Sequence, residues 1–310
     1  MISRRNIRVK VMQTLYSIDS MSGDTKPGEP LSILTKKIDQ SRALFTYLIY
    51  FITEVARYAE TDARQKAGKH LPSAADLVIN TKLAGNELLW KILEDPGFKA
   101  AVSENKLEHK LDPELVKKIY QGLVTTVEYK EYIEEQSRDK KAEKRILEFI
   151  FNNLLLPDEN FINHMEESFI NWDDDAEMMQ TLVLNYLNKP APGVFTQIMS
   201  KEKWDFAKDL LQTVQDKAEQ SLELIKPKLK NWDADRIASL DLILLQMGVC
   251  EFLYFETIPT KVTINEYIDL AKDYSTPQSG QFVNGLLDNI HKELSAANKI
   301  EKRNFKNSTL

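Results

Sequence analysis

The sequence contains few of the residues on which most catalytic and secreted proteins depend. It has one cysteine, Cys250, four histidines and ten glycines in 310 residues. A single cysteine excludes an internal disulfide and favours a reducing compartment, for which the cytoplasm is the default. Because Cys250 lies within an apolar segment, we expect a buried thiol that behaves as a small hydrophobic side chain.

Long apolar runs and catalytic motifs are also missing. The longest uncharged apolar stretch, residues 43–53, is shorter than the roughly 18 residues that indicate a membrane span. The N-terminus lacks the apolar block of a signal peptide. No glycine-rich phosphate loop, His-Glu-x-x-His, Cys-x-x-Cys or Gly-x-Ser-x-Gly sequence occurs. We therefore expect no catalytic site, no cofactor, no metal and no membrane partner.

The charge balance limits how nucleic acid could bind. Forty-one basic residues against forty-seven acidic ones give a net charge of −6, so the whole surface does not attract a polyanion. Any such binding needs a local cationic patch. The run from Arg138 to Lys144 is one candidate. A solvated helix face is a better interpretation of this run than a second binding site.

What the sequence does contain is helical periodicity, which predicts an all-α protein. From Arg236 to Phe255 the few polar positions do not gather on one side, as is typical of a central core helix. Thr263 and Glu266 have the spacing of a capping box, which predicts that the next helix starts there. An apolar stripe from Phe282 to Leu294 predicts the last helix.

The first helix combines an apolar stripe with a cationic flank. Ile7, Val11 and Leu15 repeat at helical spacing, and Ser3 is placed to cap the helix. Arg5, Arg8, Met12 and Tyr16 lie beside this stripe, at its predicted border with solvent. Arginine matches phosphate geometry and aromatic rings stack on unpaired bases, although an ordinary amphipathic helix with solvated cations would look the same.

Three C-terminal segments follow one another in a recognisable order. They are an apolar helix from Asp241 to Leu253, then Pro259, Val262, Ile264-Asn265-Glu266 and Leu270-Ala271-Lys272, then Phe282 to Leu287. In this order and spacing they resemble the NusB family of transcription antitermination factors, with Phe252 in the family's Glu-Leu position. The family's arginine-rich first helix ending in Gln-x-Leu-Tyr corresponds to Arg4-Arg5, Arg8 and Gln13 to Tyr16. One departure is Gln246, where the family commonly carries arginine.

The resemblance implies NusB-like helical bundles enlarged by a helical insertion. We interpret residues 1–20 as the N-terminal arginine-rich helix, 21–200 as the insertion, 201–296 as the NusB-like C-terminal helical domain and 297–310 as a flexible basic tail. The tripeptide Asn171-Trp172-Asp173 recurs at Asn231-Trp232-Asp233, which two similar helix starts explain as well as a duplication does.

The function that the resemblance implies is RNA binding during transcription antitermination. The expected partners are boxA-type single-stranded RNA of nascent ribosomal RNA transcripts and NusE, a small-subunit ribosomal protein, with other Nus factors and RNA polymerase indirectly. Carried over by position, the RNA-binding residues are Arg4, Arg5, Arg8, Gln13, Tyr16, Gln278 and Phe282. Asp241 matches an acidic position that the family links with the NusE and RNA assembly.

Other interpretations remain open at this point. Phe282 could be a core residue, and Asp241 could cap or pair within the bundle. The chain could also be a helical protein-interaction scaffold that does not bind RNA. NusB-like domains also precede RNA cytosine methyltransferase domains, but this sequence lacks the α/β catalytic domain and its cysteines.

Overall fold

The computed structural model describes residues 1–21, 26–68, 70, 80–135, 137–229 and 237–303. Within these residues the regular structure is entirely helical, which confirms the all-α prediction. The α-helices are α1 (Arg4–Asp19), α2 (Glu29–Ala67), α3 (Glu87–Glu94), α4 (Pro96–Glu104), α5 (Pro113–Leu123), α6 (Val127–Glu134), α7 (Lys140–Phe149), α8 (Glu159–Ser168), α9 (Trp172–Asn188), α10 (Lys201–Asp216), α11 (Ala218–Ile225), α12 (Ser239–Tyr254), α13 (Thr260–Tyr274) and α14 (Ser279–Ala296). Short 3-10 helices cover Leu107–Lys110 and Lys226–Leu229, and a π-helix covers Ile150–Leu155.

The chain divides into two compact units. The insertion unit comprises Met1–Ile2 and Asp39–Met199, and the C-terminal unit comprises Ser3–Ile38 and Ser200–Leu310. Their boundary in the first half falls within the long helix α2. In the part of the chain that the structure describes, no helix is both long and apolar enough to cross a membrane.

Helix α12 is the centre of the C-terminal unit, as its sequence predicts. It packs against α1, α10, α11, α13 and α14, and ten of its sixteen residues are buried. Gly248 permits the close approach of α14, because a Cβ at this position would lie 2.8 Å from Leu287 Cδ2. The helix begins at Ser239 rather than at Arg236. Residues 230–236, which include the second Asn-Trp-Asp sequence, lie outside the described residues.

The prediction that a capping box of Thr263 and Glu266 starts the next helix is wrong. Helix α13 begins at Thr260, directly after Pro259, so Thr263 lies one turn inside the helix and is fully buried. Its hydroxyl donates a hydrogen bond of 3.0 Å to Glu251 Oε2 on α12. The hydroxyl therefore satisfies a buried carboxylate instead of the helix terminus, which the spacing alone could not reveal.

The insertion unit has its own aromatic core. Phe45, Tyr47 and Phe51 on α2 are each at most 1% exposed. The Phe51 ring centroid lies 5.0 Å from that of Phe161. Each aromatic ring buries a large apolar surface and so contributes strongly to the stability of a core. The insertion unit is therefore stabilised by its own packing.

Helix α5 starts at an Asp-Pro pair, in which Asp112 is the N-cap and Pro113 the first helical residue. Asp112 caps the helix by accepting hydrogen bonds from the backbone N–H of Glu114 at 2.9 Å and Leu115 at 3.2 Å. The helix ends at Leu123, with Val124 as its C-cap. Thr126 then caps α6, because a threonine hydroxyl competes well for the free amides of a new helix start.

A half-buried histidine, His164, gives the insertion unit a predicted pH dependence. Burial lowers the pKa of His164, and its Nε2 is hydrogen-bonded to the Tyr47 hydroxyl. Since the unfolded chain then binds a proton more readily than the folded one, the stability that the neutral ring contributes is present above pH of about 6.5 and falls as the pH drops below it.

We expect thermal melts followed by circular dichroism to show a lower melting temperature at pH 5.5 than at pH 7.5. The His164→Gln variant should lose part of this difference. His109, which is exposed, provides the control, and a His109→Gln variant that flattens the pH profile equally would contradict the assignment.

Candidate nucleic-acid interface

Helix α1 is a core helix of the C-terminal unit rather than an amphipathic helix with one solvated side. Ser3 caps it as predicted, accepting a hydrogen bond of 3.2 Å from the backbone N–H of Asn6. The buried residues form more than one stripe, and they are Ile7, Arg8, Val9, Lys10, Val11, Met12, Thr14 and Leu15. The prediction that Arg8 and Met12 lie at the solvent border is therefore wrong.

Arg8 is held in a buried ion pair. Its side chain is 2% exposed, and its Nε and Nη2 donate hydrogen bonds of 2.6 and 3.1 Å to the carboxylate of Glu251. Tyr267 Oη donates another of 2.8 Å to the same carboxylate. Burial by itself lowers the pKa of Arg8, but the hydrogen bond and charge of Glu251 raise it above its ordinary value. Arg8 is therefore removed from the predicted RNA contacts, because no phosphate can reach it.

Arg4 and Arg5 remain at the surface, each in an ion pair. The Arg4 side chain is 40% exposed and lies 2.9 Å from Glu202, which is itself 78% exposed. Arg5 is 37% exposed and lies 2.8 Å from Asp273. Exposed pairs of this kind contribute about 0–1 kcal/mol. A phosphate could therefore replace either carboxylate.

The surroundings of the two arginines differ. Arg5 has two further carboxylates at 3.9 Å, those of Glu266 and Asp269. Among the residues that the structure describes, Arg4 has one carboxylate partner, and it lies over the Phe206 ring with its Cζ 5.4 Å from the centroid. Because each nearby acid opposes an incoming phosphate, Arg4 is the better placed of the two.

Three of the predicted polar and aromatic contacts reach the surface. Tyr16, at the last turn of α1, is 46% exposed. Gln13, one turn earlier, is half-buried. Gln278 is exposed and is the N-cap residue of α14. These side chains have the exposure that base stacking and amide hydrogen bonding require.

Phe282 and Asp241 are both buried. Their positions agree with the alternative interpretations, in which Phe282 is a core residue and Asp241 caps or pairs within the bundle. Phe282 is 7% exposed, so its ring is not available to stack on a base, and we remove it from the predicted direct contacts. Asp241 is 6% exposed, and its Oδ2 accepts a hydrogen bond of 2.7 Å from the Ser279 hydroxyl. Asp241 thus joins the start of α12 to the start of α14, and its partner-binding role stays a prediction.

Sequence reasoning missed two features of this unit. Glu251 is the acid on which Arg8, Thr263 and Tyr267 converge. A lone glutamate in an otherwise apolar helix could have signalled it, because buried carboxylates are almost always paired. Lys302, assigned from the sequence to a flexible tail, instead donates hydrogen bonds of 2.8 Å to the carbonyls of Glu251 and Phe255.

The sequence prediction for Cys250 is confirmed. The side chain is fully buried and free, and burial raises the pKa of the thiol to about 12. A thiol in this state is a poor nucleophile at neutral pH. Among the described residues there is also no group of three or more histidine, cysteine or acidic side chains that could hold a metal ion.

The comparisons with known proteins agree on one family. The family model described as "NusB family" matches residues 167–292, which begins within the predicted insertion and excludes α1. The transcription antitermination protein NusB of Finegoldia magna is 41% identical over 96 residues, covering 31% of this chain and 70% of that protein. The transcription antitermination protein NusB of Methylacidiphilum infernorum is 38% identical over 111 residues, covering 33% of this chain and 78% of that protein.

Two further relatives carry the same name. The Salinibacter ruber protein is 42% identical over 98 residues, covering 32% of this chain and 61% of that protein. A solved structure of T. maritima NusB is 28% identical and covers 40% of this chain and 82% of that one, with a TM-score of 0.30. The curated relatives are named as transcription antitermination proteins, not as enzymes. By the identity and the coverage of the Finegoldia magna and Methylacidiphilum infernorum proteins, the chain belongs to the NusB family.

Proposed function

We propose that this protein acts in transcription antitermination by binding boxA-type single-stranded RNA of nascent ribosomal RNA transcripts together with NusE, in the cytoplasm. Membership of the NusB family is the observation that carries the proposal. The contact residues in this proposal are the members of the predicted set that are not buried, namely Arg4, Arg5, Gln13, Tyr16 and Gln278.

The surface ion pairs of α1 support an exchange mechanism. Glu202 holds Arg4 through an exposed pair, which is worth little in water. An incoming RNA phosphate would take the guanidinium, and the released counterions would make the affinity fall with salt. Arg8 contributes indirectly in this mechanism, because its buried pair with Glu251 fixes α1 against α12.

Tyr16 supplies the proposed base contact. Its ring is 46% exposed on the helix that carries Arg4, and stacking of one base on an aromatic side chain contributes about 1–3 kcal/mol. The amides of Gln13 and Gln278 can each donate and accept a hydrogen bond with a base edge.

Fluorescence anisotropy with a labelled boxA-like RNA, with and without NusE, tests the proposal. We expect the slope of log affinity against log salt to become shallower by roughly 1–2 units in Arg4→Ala/Arg5→Ala, since about 0.7 unit is lost for each phosphate contact to a single strand. The matched control is Arg57→Ala/Arg64→Ala, which removes two exposed, ion-paired arginines elsewhere on the chain. Equal slopes for the two variants would refute the assigned contacts.

A protein-interaction scaffold is the second candidate. The observation that favours it is that Arg4, Arg5 and Arg8 all already have carboxylate partners at 2.6–2.9 Å. A scaffold would bind NusE with the same affinity whether or not RNA is present. Cooperative binding of NusE and boxA-like RNA, by contrast, supports the antitermination role.

A further inference from the structure

Helix α7 of the insertion unit carries a cationic face whose lysines and arginines form no ion pair with any residue that the structure describes. Residues 138–145 contain five cations and two acids. We define the α7 cationic face as Arg138, Lys140, Lys141, Lys144, Arg145 and the neighbouring Lys189. In sequence this run has the composition of an ordinary solvated helix face.

The two acids of the run are both occupied by internal contacts. Asp139 caps α7, accepting a hydrogen bond of 3.2 Å from the backbone N–H of Ala142. Glu143 is 2% exposed and accepts hydrogen bonds of 3.0 Å from Tyr132 Oη and 2.6 Å from the backbone N–H of Glu87. Both carboxylates keep their charge, but neither forms an ion pair with a lysine or arginine that the structure describes, and the run retains a net charge of +3 from five cations and two acids.

The cations of the face differ from the α1 arginines in their partners. Lys140, Lys141 and Arg145 are exposed and form no ion pair with any residue that the structure describes. Arg138 and Lys144 donate to the main-chain carbonyls of Gly85 and Asn188. A carbonyl fixes the side chain without cancelling its charge, so the positive charge of both remains.

The contact with Asn188 brings a further cation to the face. Lys189 directly follows Asn188 and is exposed. Lys141 and Arg145 are four residues apart, so they lie on the same side of α7 with Cβ atoms about 6 Å apart. Repeated cations on one side of a helix match a ligand with repeated negative charges.

We propose that the α7 cationic face binds the phosphate backbone of RNA, as a site separate from the α1 contacts. This inference rests on the proposed function for its choice of RNA as the polyanion. Phosphate contacts of this kind position a strand without reading its sequence. The insertion would therefore add affinity for RNA flanking a boxA element, whatever the sequence of that RNA.

The test uses the full-length protein, without NusE, and a labelled single-stranded RNA that lacks a boxA sequence. We expect Lys140→Ala/Lys141→Ala/Arg145→Ala to weaken binding about tenfold at 50 mM salt and to make the salt slope shallower by about 2 units. The matched control, Lys66→Ala/Lys99→Ala/Lys117→Ala, removes the same charge from helices elsewhere in the insertion unit and should change affinity less than about twofold. Equal losses in the two variants would overturn the proposal, because they would reflect net charge alone.

A second measurement covers folding and ligand class. The three substituted side chains are exposed, so the variant should melt with the wild type, and Lys141→Glu/Arg145→Glu should weaken RNA binding further. Polyglutamate of equal charge that competes as well as the RNA would overturn RNA as the ligand. If the triple variant loses this binding but boxA RNA shows no preference over other RNA, the α7 inference stands and the proposed function fails. If the triple variant keeps this binding and boxA RNA is preferred over other RNA, the α7 inference fails and the proposed function stands.

Discussion

Replacing Arg8 by alanine is expected to lower the free energy of unfolding of the C-terminal unit by about 3–5 kcal/mol, because Glu251 would remain buried without its cation. Glu251 is fully buried, and Arg8 supplies two of its hydrogen bonds. Tyr267 and Thr263 would still donate to the carboxylate, but neither side chain carries a compensating charge. Urea denaturation followed by circular dichroism measures the loss.

Arg4→Ala is the matched control for this prediction. It removes the same residue type from the same helix, but from a surface pair with Glu202, so the loss should stay below about 1 kcal/mol. Similar losses for the two variants would show that the buried pair has no special role. An Arg8 variant that lost RNA binding while keeping full stability would return Arg8 to the RNA contacts.

The second large effect is expected in the insertion unit, where Phe51→Ala should cost about 3–5 kcal/mol. The Phe51 ring is fully buried, 5.0 Å from the centroid of Phe161 and 6.1 Å from that of Tyr47. Alanine would leave a cavity lined by rings that cannot collapse onto it, since α2 and α8 hold them in place. Thermal and urea melts of the full chain provide the measurement.

Trp90→Ala controls for the removal of an aromatic ring. Trp90 is 47% exposed on α3 of the same unit, so its loss should change stability by less than about 1 kcal/mol. A Phe51 variant as stable as the Trp90 variant would mean that the aromatic cluster does not hold the insertion unit together. That outcome would also weaken the view that this unit is stabilised by its own core.

Much of the local structure follows from the sequence because short-range chemistry fixes it. The apolar positions of α12 and α14 have helical periodicity on their own, and Ser3 and Asp112 cap their helices through amides two or three residues away. The thiol of Cys250 lies in a helix whose residues are mostly apolar. None of these features needs a partner that is distant in the chain.

The candidate site was less predictable for the opposite reason. Arg8 has the spacing of a border residue, yet Glu251, 243 positions later, draws it into the core. Thr263 has the spacing of a cap, yet it serves the same carboxylate. Periodicity shows which side of a helix is apolar. Whether an ionisable side chain is buried depends instead on an opposite charge, often distant in the sequence, that offsets the desolvation cost.

The sequence by itself determined the helical class, the family and the segments that carry the proposed RNA contacts. Only the tertiary structure decided which of those residues keep a free surface. Arg4, Arg5 and Tyr16 remain exposed while Arg8 and Phe282 do not. It also showed that Glu143 is buried beneath α7 whereas Asp139 caps the helix at the surface, because the exposure and pairing of a charge depend on contacts between segments that the linear order does not bring together.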